Sequence, residues 1–108
     1  MSEVESGQLA HHVYFTLKDK SAEKKAELVE ACHQHLKPQP GVVFFSVGGR
    51  VPDLDRDVND DQFDVSLAIV FDSRQSHDAY QTEENHDKFI AGQKENWASV
   101  RVFDSNLA

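Results

Sequence analysis

The clearest pattern in this chain is a two-residue alternation between positions 63 and 72, and it strongly limits the available folds. Large apolar residues occupy every second position, namely Phe63, Val65, Leu67, Ile69 and Phe71. The positions between them hold Asp64, Ser66, Ala68, Val70 and Asp72. Side chains along a β-strand point alternately to opposite faces. The segment is therefore predicted to be a strand with one strongly apolar face.

Three more segments are predicted to be strands. Residues 9–18 alternate, with His11, Val13, Phe15 and Leu17 on one face and His12, Tyr14 and Thr16 on the other. Residues 42–47 are apolar on both faces, and residues 100–103 form a short last strand. Residues 51–61 hold five aspartates and predict a solvated hairpin loop. That loop lacks the glycine and the terminal glutamate of an EF-hand, so no calcium site is predicted there.

Helical spacing predicts three helices. Asp19 and Ser21 can cap a helix over residues 22–36, which Pro38 and Pro40 terminate. Its predicted buried face consists of Ala22, Ala26, Val29, Cys32 and Leu36. A short helix is predicted over residues 74–80 and a longer one over residues 83–97. The longer helix has one face made of His86, Phe89, Ile90, Gln93 and Trp97.

The resulting order, β-α-β-β-α-β with the second helix broken into two, is that of the ferredoxin-like α+β fold, an antiparallel four-stranded sheet with helices on one face. The domain is predicted over residues 9–105, after a flexible tail at residues 1–8. Phe44 and Phe45 are adjacent and cannot share a face, so the side of the sheet without helices must also be apolar. A second copy of the chain would cover it. We therefore expect a homodimer, a dimeric α/β barrel.

Charge and composition exclude several classes of partner. The formal net charge is −8, with 11 basic residues scattered among 19 acidic ones, which disfavours nucleic acids and anionic membrane surfaces. No apolar run is long enough to span a bilayer, and the polar N-terminus does not resemble a secretory signal. Cys32 is the single cysteine, so no internal disulfide is expected. These features together predict a cytoplasmic protein.

Three side chains are candidates for chemistry: His11, Tyr80 and His86. The faces that carry the two histidines are both expected to border the space between sheet and helices, and Tyr80 lies six residues before His86. An imidazole can act as a general base near neutral pH, and a phenol can stabilise charge on a carbonyl oxygen. The predicted pocket walls are Val13, Phe15, Phe89, Ile90 and Trp97. The alternative is a histidine–tyrosine pair that fills the core and has no chemical role.

Metal and nucleophilic sites are not predicted. His11 and His12 point to opposite faces of a strand, and His33 and His35 diverge on a helix. His77 and His86 have no histidine or carboxylate at i+4 spacing, and no cofactor is implied. No serine lies in a nucleophile-elbow motif, and Cys32 has no evident activating partner.

Several short motifs resemble the stress-responsive A/B barrel family. They are His11-x-Val13-x-Phe15-x-Leu17-Lys18, Pro40-Gly41-Val42, Phe63-Asp64, Phe71-Asp72-Ser73, Tyr80, His86, Phe89 and Val100-Arg101-Val102-Phe103-Asp104. The family's members are dimeric ferredoxin-like α/β barrels. They include plant polyketide cyclases of the olivetolic acid cyclase type, which close a poly-β-ketone by aldol condensation with a histidine base and an assisting tyrosine.

The resemblance implies that His86 is the base, Tyr80 the hydrogen-bond donor and His11 a pocket residue. Family members often carry His-Pro where this chain has Glu83-Glu84. We expect these carboxylates to raise the basicity of His86 and to repel anionic substrates. The resulting hypothesis is a small cyclase- or lyase-type enzyme that acts on an apolar carbonyl compound. The alternatives are a non-catalytic protein that binds a small apolar metabolite, and a cofactor-free monooxygenase of the related dimeric barrels.

Overall fold

The first strand shows how the alternating sequence sets the sheet. Val13, Phe15 and Leu17 are almost fully buried, whereas Tyr14 and Thr16 between them are half-buried. The structure is a computed structural model and describes residues 7–108. Its main elements are β1 (Leu9–Leu17), α1 (Ala22–His35), β2 (Val42–Gly49), β3 (Val65–Phe71), α2 (Arg74–Gln81), α3 (Glu84–Gln93) and β4 (Trp97–Asn106).

The four strands form one antiparallel sheet in the order β2-β3-β1-β4. The predicted ferredoxin-like α+β fold is confirmed. Strand β1 lies between β3 and β4, so His11 stands opposite Ile69 on one side and Asp104 on the other. Residues 1–6 of the predicted flexible tail lie outside the described residues. The carbonyl of Gln8 accepts a hydrogen bond of 3.0 Å from the amide of Leu107.

The predicted end of the last helix is wrong. Helix α3 ends at Gln93, and one 3-10 turn leads directly into β4, which is longer than the predicted strand at 100–103. Asn96 fixes this turn, because its side chain accepts a hydrogen bond from the amide of Asp19 and donates one to its carbonyl. Trp97 therefore faces the core from a strand, beside Leu17, and its ring still lies 5.7 Å from that of Phe89.

The predicted buried face of α1 is also partly wrong. Ala22 and Ala26 are exposed, and the buried side chains are instead Leu28, Ala31, Cys32 and, just after the helix, Leu36. Leucine loses far more apolar area to the core than alanine does, so the two leucines set the rotation of the helix. They pack with Phe15, Leu67, Ile69 and Phe71 in the core between the helices and the sheet.

The side of the sheet away from the helices carries a second set of apolar residues. We call this side the open face, and its members include Tyr14, Phe44, Ala68, Val70 and Phe103. Phe44 and Phe103 are 55% and 51% exposed. One edge is bordered by the irregular segment 50–64, from which Asp60 forms an ion pair of 2.9 Å with Arg101. In the part of the chain that the structure describes, no helix is long and apolar enough to cross a membrane.

Candidate functional site

A cavity of about 430 Å³ lies between the sheet and helices α2 and α3. Volumes of this size are typical of sites for small molecules. All five predicted wall residues line it, together with the three candidate residues His11, Tyr80 and His86. The other lining residues are Leu36, Leu67, His77, Gln81, Val100, Val102 and Asp104. Apolar side chains therefore form most of the wall, and six of the fifteen lining residues are polar.

His11 is placed by the alternation of β1, which turns its side chain toward the helices. Its imidazole is buried, and its Nδ1 atom lies 2.6 Å from a carboxylate oxygen of Asp104 on the neighbouring strand. Burial lowers the pKa of His11, and the Asp104 carboxylate opposes this shift only in part. The pair holds the ring in a fixed orientation at one end of the cavity.

Tyr80 comes from the last turn of α2, a helix whose start is tightly fixed. The Ser73 side chain caps it by accepting a hydrogen bond from the amide of Ser76, and the Ser76 hydroxyl donates to Asp72 at 2.5 Å. Gly41 packs against this turn with a φ of 83°, and a Cβ atom there would collide with the Ser76 side chain. The turn therefore requires glycine at this position.

The phenol of Tyr80 is buried among aromatic rings. Its ring centroid lies 4.7 Å from that of His86, 5.0 Å from that of Phe71 and 5.8 Å from that of His11. Burial raises the pKa of Tyr80 well above its ordinary value of 10.0. The hydroxyl is therefore fully protonated at neutral pH and can serve as a hydrogen-bond donor.

His86 lies in the first turn of α3, which Glu83 caps. The Glu83 carboxylate accepts hydrogen bonds from the amide of Asn85 at 2.8 Å and from the side chain of Gln39 at 2.6 Å. The Glu83 charge raises the pKa of His86 as expected, but burial outweighs this effect. Desolvation lowers the pKa of His86 from 6.5 by more than the nearby Asp87 and Glu83 charges raise it. Burial therefore favours the neutral form of the imidazole.

Two polar atoms of lining residues have no partner inside the protein. Among residues 7–108, the buried side-chain atoms without a hydrogen bond are Nδ1 of His86 and Nε1 of Trp97. An unpaired buried polar atom costs about 1–3 kcal/mol, so such atoms are rare without a functional reason. Both residues line the cavity.

Sequence reasoning missed two polar members of the site, His77 and Asp104. Helix α2 brings His77 to the cavity three residues before Tyr80, and its ring centroid lies 5.2 Å from that of His11. The signal for Asp104 was present in the sequence, because it continues the inward-facing series of Val100 and Val102 along β4. Because His11 and Asp104 are 93 residues apart in the sequence, local patterns do not predict their contact.

Comparisons with known proteins agree with the overall fold. Residues 9–107 match the sequence profile of the Stress responsive A/B Barrel Domain. No curated protein sequence matches the chain.

Solved structures of low sequence identity share the fold. A Dabb family protein from Mesorhizobium loti, 16% identical, superposes with a TM-score of 0.78 over 94% of this chain and 98% of that one. A dimeric ferredoxin-like protein from Thermobifida fusca, also 16% identical, gives 0.75 over 93% and 91%. A Chloroflexus aurantiacus protein provisionally named an antibiotic biosynthesis monooxygenase, 15% identical, gives 0.71 over 94% and 93%.

Proposed function

Since this chain belongs to the stress-responsive A/B barrel domain family, we propose that its cavity binds a small apolar carbonyl compound and that His86 acts on it as a general base. The observation that carries the proposal is the pairing of His86 with Tyr80, at 4.7 Å between ring centroids, in the wall of a largely apolar cavity. A base and a hydrogen-bond donor side by side suit proton abstraction from the carbon next to a carbonyl.

The lowered pKa of His86 determines which form of the residue starts the reaction. Burial favours the unprotonated imidazole, which can accept a proton from carbon without first losing one to water. The enolate that results attacks a second carbonyl of the same substrate and closes a ring. The imidazolium then returns its proton to the new alkoxide, so that the protons balance over the cycle.

Tyr80 supplies the complementary group. Its raised pKa keeps the phenol protonated, so it donates a hydrogen bond to the carbonyl oxygen and stabilises the negative charge of the enolate. A preorganised donor of this kind contributes about 2.7–4 kcal/mol to transition-state stabilisation in enzymes that use one. His11, held by Asp104, is a positioning residue that shapes the end of the cavity beside Tyr80.

Charge supports a neutral or weakly polar ligand rather than a polyanion. The net charge of −8 disfavours nucleic acid and strongly anionic substrates, and the cavity wall is mostly apolar.

We also propose that the protein works in the cytoplasm. Its one cysteine, Cys32, is fully buried, and burial raises its pKa to about 12, so it is an unreactive thiol.

We propose in addition that the chain forms a homodimer, a dimeric α/β barrel, through the open face. Phe44 and Phe103 on that face leave about half of their surface exposed. A contiguous apolar patch on a sheet is typical of an interface between copies of a protein. The Thermobifida fusca neighbour is a dimeric protein of this fold, which supports the same arrangement here.

A ligand screen by thermal unfolding tests the assignment of the cavity. We would compare the wild type with His86→Ala against β-diketones, phenols and acidic aromatic compounds, with His33→Gln as a control at an exposed histidine on α1. A ligand at one hundred times its Kd stabilises a protein by about 2.7 kcal/mol. We expect a hit that weakens in His86→Ala and is unchanged in His33→Gln.

Product analysis of that hit then tests the reaction. We expect a cyclised or cleaved product whose formation requires His86. Binding without turnover would favour the alternative of a non-catalytic metabolite-binding protein. Oxygen uptake with a phenolic hit would instead favour a cofactor-free monooxygenase; the Chloroflexus aurantiacus neighbour is provisionally named an antibiotic biosynthesis monooxygenase. The absence of any hit, with a folded His86→Ala variant, would contradict a binding role for the cavity.

A further inference from the structure

Three potential metal ligands meet at one end of the cavity, and the reaction proposed above does not use them as a group. They are His11 from β1, His77 from α2 and Asp104 from β4. Each offers one ligand atom, and these atoms all lie within 4.8 Å of one another. Sequence spacing gives no sign of this cluster, because the three residues come from three separate elements.

The distances within the cluster fit a small metal ion. A carboxylate oxygen of Asp104 lies 2.6 Å from Nδ1 of His11 and 3.9 Å from Nε2 of His77. Zn²⁺ binds imidazole nitrogen and carboxylate oxygen at about 2.0–2.2 Å, which separates tetrahedral ligand atoms by about 3.3 Å. The two distances lie on either side of this value, and a bound ion would displace the proton that Nδ1 of His11 shares with Asp104.

A second carboxylate orients His77 in the way that metal-binding histidines are commonly oriented. Nδ1 of His77 lies 3.0 Å from a carboxylate oxygen of Asp78, and that same oxygen accepts a hydrogen bond of 2.8 Å from Arg74. Metal-bound histidines usually donate their other ring N–H to a carboxylate, which fixes the tautomer. With its proton on Nδ1, His77 presents an unprotonated Nε2 toward Asp104.

We propose that His11, His77 and Asp104 form a binding site for a divalent transition-metal ion of the Zn²⁺ class, with its remaining coordination position open to the cavity. Two imidazoles and one carboxylate suit Zn²⁺ and its neighbours in the first row, whereas Ca²⁺ and Mg²⁺ prefer oxygen ligands. Three protein ligands with an open position are typical of catalytic sites and not of structural ones.

The position of the site defines what a bound ion would do. All three ligands line the same cavity as Tyr80 and His86. An ion there would act as a Lewis acid on an oxygen of the bound compound, close to Tyr80, whose ring lies 5.8 Å from that of His11 and 4.7 Å from that of His86. The ion binds in the absence of any substrate, so the failure of this proposal and the failure of the proposed reaction can be told apart.

Cobalt binding to the full-length, tag-free chain tests the site. The protein is treated with a chelator, titrated with Co²⁺ at pH 7.5 and followed by visible absorption, which is intense only for four- or five-coordinate cobalt. We expect a band that saturates at one ion per chain and that Zn²⁺ abolishes by displacement. No saturable band in the wild type, or one that Zn²⁺ does not displace, would overturn the proposal.

Substitutions test whether the cobalt absorption band arises from the three proposed ligands. His77→Ala and Asp104→Asn should each weaken binding by more than the roughly 10- to 100-fold typical for loss of an outer partner. Asp78→Asn should weaken it within that roughly 10- to 100-fold range and keep the band. His33→Gln, an exposed histidine outside the cluster, should bind as the wild type does. Circular dichroism shows whether each variant is folded. If either His77→Ala or Asp104→Asn fails to fold, binding by the other variant tests the assignment. Unchanged binding in a folded His77→Ala or Asp104→Asn protein would contradict the assignment.

Discussion

Replacing Phe103 with serine tests whether a second copy of the chain covers the open face. Phe103 is 51% exposed, and an aromatic side chain presents about 150–250 Å², so about 100 Å² of Phe103 is free to enter an interface. At about 25 cal/mol per Å², each copy would lose about 2.5 kcal/mol of dimer stabilisation. Because a symmetric interface contains the residue twice, the dimer would lose about 5 kcal/mol, or about 10³- to 10⁴-fold in Kd.

Sedimentation velocity over a range of protein concentrations measures this change. We expect the wild type to be dimeric at micromolar concentration and Phe103→Ser to be monomeric there. Leu54→Ser is the matched control, because Leu54 is 56% exposed but lies in the segment 50–64 and not on the sheet. A monomeric wild type, or a Phe103→Ser protein that dimerises as tightly as the control, would refute the reasoning.

Three further predictions concern the cavity and its support. Tyr80→Phe keeps the ring packed against Phe71 but removes the donor, so turnover of a cavity substrate should fall about 10²- to 10³-fold with binding largely retained; full activity in this variant would remove Tyr80 from the mechanism. By NMR, His86 should titrate with a midpoint below 6.5, because burial disfavours its charged form. This stabilisation is complete at pH values above the pKa of His86 in the unfolded chain, and it is lost as the pH falls through the lower pKa of the folded state. The denaturation midpoint should therefore depend less on pH in His86→Gln than in the wild type. Gly41→Ala should destabilise the chain by about 1–2 kcal/mol or more in urea, since alanine would adopt a left-handed backbone and also meet Ser76; a neutral effect would show that the turn can relax.

The sheet was predictable because alternation is a local property. Each inward residue of β3 is fixed by its immediate neighbours, and the same holds for Val13 and Phe15 in β1. Trp97 shows where this reasoning fails. It continues the helical spacing of His86 and Phe89, but helix α3 ends at Gln93. Trp97 instead packs against the core as the first residue of β4. Contact with the core alone does not show whether Trp97 belongs to a helix or to a strand. The hydrogen bonds of Asn96 that stabilise the turn before β4 are made with Asp19, which is distant in the sequence.

The site was predictable in part for the same reason. His11, Tyr80 and His86 were recognisable because each lies on a face whose direction follows from local periodicity. The meeting of His77 with Asp104 depends on the pairing of β4 with β1 and on the placement of α2, which no local pattern specifies. The direction of the pKa shift of His86 was also beyond sequence reasoning, since it depends on how deeply the ring is buried and not only on which charges are adjacent in the chain.

The pairing of β1 with β4 has a consequence for how the protein is made. Of the described elements, β1 leaves the ribosome first, yet its neighbour on one side, β4 at residues 97–106, is the last of them to be synthesised. Contacts between such distant segments form slowly, because a long loop must close before they contribute stability. Until β4 has been synthesised, the sheet lacks Phe103 on its open face and the cavity lacks the wall that contains Asp104. The nascent chain therefore carries an unpaired edge of β1, an exposed strand of the kind that chaperones protect. The cavity is complete only after β4 has emerged and has docked against β1.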